Sequence, residues 1–233
     1  WYRSYGQLKH LLNPFYFATA TGTTSSLKSN NNNNNNKAST TTLAAGHYLE
    51  PFVFPPRQRT RVLILGCGNS TFGEEMLRDG WSGRIANVDF SQVVIQQMQR
   101  KYFLSQQSPL EFLCADITQP LPYTDESFDL IVCKGALDAI LCSDCPKSNA
   151  LRMVKECHRL LAKKHGVFFL TTNGNPDSRL EFLEYENELS YYWRGVSVHP
   201  LGNPTQKYVW MKEERPFHSH FRFGQTTSLL LHL

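Results

Sequence analysis

No stretch of this sequence stays apolar for anything near the ~20 residues that a membrane-spanning helix requires. No segment reads as a secretory signal either, so the chain is expected in the cytoplasm and off the membrane. Six cysteines in 233 residues are too few and too scattered for a disulfide framework, and they suit a reducing compartment. Charge of one sign is scarce as well. The formal net charge is +4, too mild and too dispersed to argue for a nucleic-acid partner. Arg152, Lys155, Arg159 and Lys163 fall at helical spacing and read as a solvated helix face. Cys142-Ser-Asp-Cys145 lacks the second pair that a structural zinc site needs. Cys157 and His158 are adjacent and would point about 100° apart on a helix, so no metal is expected. What is left, with 41% apolar residues, is the composition of one globular enzyme-sized domain.

The informative presence is Arg61-Val-Leu-Ile-Leu-Gly-Cys-Gly-Asn-Ser-Thr-Phe-Gly73, followed by Asn87-Val-Asp89-Phe-Ser91. An apolar strand runs into Gly66 and Gly68, and a second strand ends in an acid about 20 residues later, the layout of a nucleotide-binding βαβ unit. Two variants of that unit fail. A dinucleotide fingerprint needs Gly or Ala where this chain has the β-branched Thr71. A P-loop needs Lys and Ser/Thr where Glu74 and Glu75 stand, and two carboxylates opening a helix repel a triphosphate. A nucleoside without phosphates and with a cationic centre suits such a loop, and S-adenosylmethionine is that ligand. Asp89, at the strand end, is placed to accept both hydroxyls of its ribose.

Along the chain, residues 1–17 are rich in aromatics, with Leu8, Leu11 and Leu12 at helical spacing. A Thr/Asn-rich tract at about 18–46, with seven consecutive asparagines from Asn30 to Asn36, reads as a disordered insertion. From there strands and helices alternate. Strands are expected at Arg61–Leu65, Arg84–Asp89, Leu110–Cys114, Asp129–Lys134 and Val167–Thr172, and helices at Thr71–Asp79, Ser91–Phe103 and Ser148–Lys164. Tyr191–His199 and Lys207–Met211 read as two further strands joined too tightly for a parallel crossover. The expectation is an α/β, Rossmann-like domain over residues 1–213, whose mostly parallel seven-stranded sheet ends in a C-terminal antiparallel hairpin. Residues 214–233 read as a tail, and the chain as a monomer.

Leu65-Gly-Cys-Gly-Asn-Ser70, Val88-Asp-Phe-Ser91 with Val93-Val-Ile95, Ser127-Phe-Asp129 and Lys134-Gly-Ala-Leu-Asp138 together resemble one family. It is the class I methyltransferases of the methyltransferase-like, endothelin-converting-enzyme-linked group, which includes lysine methyltransferases of elongation factor 1-alpha. Leu121-Pro-Tyr-Thr-Asp-Glu-Ser-Phe-Asp129 and Glu156-Cys-His-Arg-Leu-Leu161 are similar to the wider type 11 methyltransferase pattern. The match covers roughly residues 1–17 and 48–213. It implies cofactor contacts at Trp1, Gly66, Gly68, Asp89, Phe90, Asp116, Ile117 and Lys134. In that reading Phe90 packs on the adenine, Asp116 accepts from its amino group, and Trp1 leads a helix that closes over the site. Plainer readings stand beside these: Phe90 and Ile117 as core residues, Asp129 as a strand start, and Lys134 ion-paired to Asp138 one turn later.

Two departures bear on function. Cys133 stands where the family has an acid before the lysine, and an aromatic segment upstream of Trp1 is missing, which reads as a fragment. The resemblance implies methyl transfer from S-adenosylmethionine to a protein lysine, with a translation factor as the partner. A small-molecule methyltransferase and a non-catalytic binding module are the alternatives. Asn173, Asn175, Tyr191 and Tyr192 are candidate lid groups, and the sequence assigns no catalytic base. No Asn/Asp-Pro-Pro-Tyr/Phe motif follows the fourth strand, which argues against nucleic-acid acceptors.

Overall fold

The apolar runs become strands because their alternating side chains have two faces to fill. The computed structural model describes residues 3–12, 54–102, 109–174, 176–183, 195–201 and 227–232. Strands β1 (Val62–Leu65), β2 (Ile85–Asp89), β3 (Leu110–Cys114), β4 (Leu130–Lys134) and β5 (Val167–Thr172) pair in parallel. Strand β7 (Thr227–His232) lies antiparallel between β5 and β6 (Gly195–Pro200), and the sheet order is β3-β2-β1-β4-β5-β7-β6. Strands β1, β2 and β5 are buried along their whole length, as continuous apolar strands covered on both faces must be.

The period of two sorts the core into two layers. Val62, Ile64, Leu130, Val132, Val167 and Phe169 face α1 (Tyr5–Leu12), α2 (Phe72–Arg78) and α3 (Gln92–Tyr102). Leu63, Leu65, Ile131, Cys133, Phe168 and Leu170 face α4 (Ala136–Ile140), α5 (Pro146–Leu160) and α6 (Pro176–Leu183). Each fully buried Leu or Phe here stabilises the fold by about 1.5–3 kcal/mol. Helix α1 is pinned by polar contacts as well. The Trp81 indole N–H donates to the Tyr5 hydroxyl at 2.8 Å, and that hydroxyl donates to Asp79 at 2.7 Å. Arg57 holds the same carboxylate at 2.9 Å.

Several expectations need correction. Helix α5 starts at Pro146, which fits the first helical position, and ends at Leu160 rather than Lys164. The chain leaves it early because Leu161 bridges to Phe128, with the Ala162 N–H donating to the Phe128 carbonyl at 2.8 Å. Arg159 is no solvated face residue: its guanidinium bonds Glu156, Asp125 and the carbonyls of Leu121 and Tyr123. The strand beside β6 is Thr227–His232, inside the stretch read as a tail; Ser228-Leu-Leu-Leu231 is a run suited to a strand with neighbours on both sides. Lys207–Met211 and the tract at 18–46 lie outside the described residues. Among the described residues no helix is long and apolar enough to cross a membrane.

Candidate active site at the carboxyl end of the sheet

Chain order reverses between β1 and β4, which opens a crevice at their carboxyl ends where open parallel sheets bind ligands. Strand β1 leaves the sheet through Gly66 and Gly68, whose φ values are +61° and +53°. A Cβ on Gly66 would sit 2.6 Å from the Ala136 Cβ, so only glycine lets this loop lie against the start of α4. The loop is tied to β2 by Asp89. Its Oδ2 accepts from the Gly68 N–H and its Oδ1 from the Ser91 N–H, both at 2.9 Å. Each carboxylate oxygen keeps a second acceptor site. Among the described residues Asp89 forms no ion pair, so backbone dipoles alone offset its burial.

Phe90, the next residue, is 81% exposed, which rules out the core reading for its ring. Ile117 is half-buried and packs against the core cluster. The Ala115 N–H donates to the Asp89 carbonyl at 3.0 Å and brings the turn that follows β3 alongside. In that turn Asp116 Oδ1 accepts from the Thr118 N–H and hydroxyl, both at 2.8 Å. Gly66, Gly68, Asp89, Phe90 and Asp116 thus gather along the carboxyl ends of β1, β2 and β3. Trp1, Asn175, Tyr191 and Tyr192 lie outside the described residues.

Lys134 ends β4 half-buried, on the strand face that looks toward α1 and α2. Burial lowers its pKa, and the Glu75 carboxylate of α2 opposes that shift. Cys133, one residue earlier, points the other way, into the layer shared with Cys157. An acid there would have been buried beneath α5 and turned away from Lys134. Burial pushes the Cys133 thiol up to about 12. Cys67 in the glycine loop is also raised to about 12, by burial first and then by Asp89, so neither thiol is a nucleophile near neutrality.

Asp138 does not need Lys134 as an ion-pair partner. Arg179 of α6 reaches its Oδ1 at 2.8 Å, the Thr172 hydroxyl donates there at 2.5 Å, and the Asn173 N–H donates to Oδ2 at 2.9 Å. Nothing local in the sequence signals Arg179, which lies 41 residues further on. Glu74 and Glu75, read together as a repulsive pair, part company: Glu74 bonds Lys101 and Tyr102 of α3, whereas Glu75 accepts from the Thr71 hydroxyl at 2.7 Å. Adjacent helical residues diverge by about 100°, which explains the split.

Residues 63–170 match the methyltransferase domain family. The parallel sheet and the glycine loop agree with this match, which spans the strands from β1 to β5. It is similar to a bovine protein named eEF1A lysine and N-terminal methyltransferase, 37% identical over 107 residues, or 45% of this chain and 15% of that protein. A mouse protein named EEF1A lysine methyltransferase 4 is 31% identical over 140 residues, or 57% of this chain and 52% of the relative. The chain therefore spans only part of the curated relatives it matches. A TehB-like SAM-dependent methyltransferase structure from Corynebacterium glutamicum shares the fold, with a TM-score of 0.50 over 76% of this chain and 82% of its own, at 15% identity.

Proposed function

We propose that this chain transfers a methyl group from S-adenosylmethionine to a lysine of a protein substrate, with elongation factor 1-alpha as the acceptor to test first. The observation that carries the cofactor assignment is Asp89, whose carboxylate is held by two backbone N–H groups and still has an acceptor site on each oxygen. That arrangement fits a ribose diol. The exposed Phe90 ring fits an adenine face, Asp116 Oδ2 its amino group, and Ile117 its edge. Gly66 and Gly68 let the backbone approach the methionine half, and Lys134 supplies a cation for its carboxylate. Trp1, ahead of α1, would complete the cover. The cofactor, when bound, supplies an electrophilic methyl group on a sulfonium.

The protein's own task is then alignment of an amine and acceptance of its proton. The lysine acceptor is supported by the names of the relatives, and the alternative is a small-molecule amine. The antiparallel β6–β7 pair that closes the sheet beyond β5 supports the same class. Six free cysteines suit the cytoplasm, where translation factors work. The test is labelled cofactor with purified elongation factor 1-alpha, and in parallel with a cell lysate. Label entering a lysine of the factor supports the reading. Label entering only small molecules moves the acceptor class, and binding without any transfer means the fold serves as a non-catalytic module.

A further inference from the structure

The carboxyl ends of β4 and β5 are joined by a closed hydrogen-bond circuit that the cofactor assignments do not use. Thr172, the last residue of β5, has its hydroxyl fully engaged. It donates to Asp138 Oδ1 at 2.5 Å and accepts from Arg179 Nε at 2.8 Å and from the Gly174 N–H at 3.2 Å. Asp138 accepts from Arg179 Nη2 on the same oxygen and from the Asn173 N–H on the other, at 2.8 and 2.9 Å. The Arg179 fork therefore bridges a carboxylate on α4 and a hydroxyl on β5 from its seat on α6. Both charged side chains are only 16% exposed. A Cβ on Gly174 would sit 2.1 Å from the guanidinium carbon, so a side chain there would have to displace the fork from its partners.

The position of the circuit decides what it does. Gly135 N–H donates to the Thr171 carbonyl at 2.9 Å, so the turn after Lys134 and the end of β5 form one edge of the crevice. The ribose and adenine groups assigned above belong to β1, β2 and β3. The β4–β5 edge is the side left for the methyl acceptor. We infer that Asp138, Arg179 and Thr172 form a positioning clamp that presets the Asn173–Gly174 segment as the wall against which an acceptor amine is aligned. The clamp is assigned no reacting atom: Asp138 is ion-paired to Arg179 and also accepts from Thr172 and Asn173, so its role is to hold the segment. A charge-assisted, buried and closed circuit is the device that fixes a loop without a large core beneath it. The acceptor role rests on the methyltransferase reading; the clamping itself does not.

Two readouts keep these apart. Amide hydrogen exchange is measured on the wild-type chain, Asp138→Asn, Thr172→Val and Thr172→Ser. Loss of one charge-assisted bond predicts about 10- to 150-fold faster exchange at Asn173 and Gly174 in Asp138→Asn and Thr172→Val, with β1 and β2 amides unchanged. Thr172→Ser keeps the hydroxyl and should restore protection. With labelled cofactor and purified elongation factor 1-alpha, the same two variants should lose about 10-fold or more in kcat, while cofactor affinity by calorimetry stays within about 2-fold. Unchanged protection of Asn173 and Gly174 in both variants overturns the clamp. Released amides with unchanged turnover overturn its role in alignment. A wild-type chain that binds cofactor but labels nothing refutes the acceptor role, and the exchange data still decide the clamp. Thr172→Val also serves where Asp138→Asn does not fold, since it removes one hydroxyl and keeps the side-chain volume.

Discussion

At the amino ends of the central strands, Asp129 accepts from the Arg61 backbone N–H at 2.7 Å, from its guanidinium at 2.7 and 3.1 Å, and from His165 at 2.8 Å. At the carboxyl ends, Asp89 accepts from two backbone N–H groups and from no cation among the described residues. Both carboxylates are buried, at 3% and 8% exposure, so burial does not separate them. What separates them is how much acceptor capacity the fold uses. Asp129 has both oxygens filled, with the Arg61 guanidinium as its ion-pair partner, and ties the start of β1 to the start of β4. Asp89 is oriented by one backbone N–H on each oxygen, which is the arrangement the proposed ribose contact calls for.

The contrast predicts effects of different kinds at the two edges. Asp129→Asn should be the most destabilising change, because it leaves the half-buried Arg61 without its charge partner and weakens the bond from His165. The expected loss is about 2–4 kcal/mol, below the figure for a wholly buried pair because Arg61 is half in water. For a domain of this size that lowers the melting temperature by roughly 4–16 °C in differential scanning calorimetry. The acid limb should change with it. Burial raises the Asp129 pKa, but the bonds from His165 and Arg61 outweigh it and bring it down from 3.8 to about 2. A depressed folded value means its stabilisation is whole above about pH 4 and is lost as pH falls toward 2. The variant should show a flatter stability curve across that window.

Gly66→Ala comes next. A methyl group at φ +61° and 2.6 Å from Ala136 should cost about 1–3 kcal/mol in urea unfolding and weaken cofactor binding through the displaced loop. Loss of stability without any loss of binding would sever the loop from the site. Phe90→Ala should have the smallest effect on the fold. At 81% exposure it should shift stability by less than about 0.5 kcal/mol, while lost stacking weakens cofactor affinity about 2- to 10-fold. A destabilisation comparable to that of Asp129→Asn would erase the distinction between the edges.

The five parallel strands and the glycine loop were legible because their signals are local: short β-branched runs, glycine at the turn, an acid at the next strand end. The period of two also carries the lesson of Cys133. Its contrast with Lys134 reads as a missing charge in the linear motif, yet adjacent strand residues face opposite layers. Strand β7 was missed because its three leucines near the end of the chain carry no turn signal that ties them to β6. Arg159 was misread because a helical charge stripe does not reveal that the 121–125 loop wraps over it. The Asp138–Arg179–Thr172 circuit is non-local in the same way, joining three elements through a residue with no motif. Charge complementarity across 41 residues is a property of the fold, not of spacing.

On the proposed reading, Asp89 is the ligand carboxylate and Asp129 the structural one. Calorimetric titration of S-adenosylmethionine into wild-type protein, Asp89→Ala and Asp129→Asn, each below its melting transition, tests it directly. A carboxylate bonded to a ribose diol is worth about 1.5–3 kcal/mol, so Asp89→Ala should bind about 10- to 150-fold more weakly. Asp129→Asn, though less stable, should bind as wild type does. Unchanged affinity in folded Asp89→Ala, or an equal loss in both variants, would contradict the account.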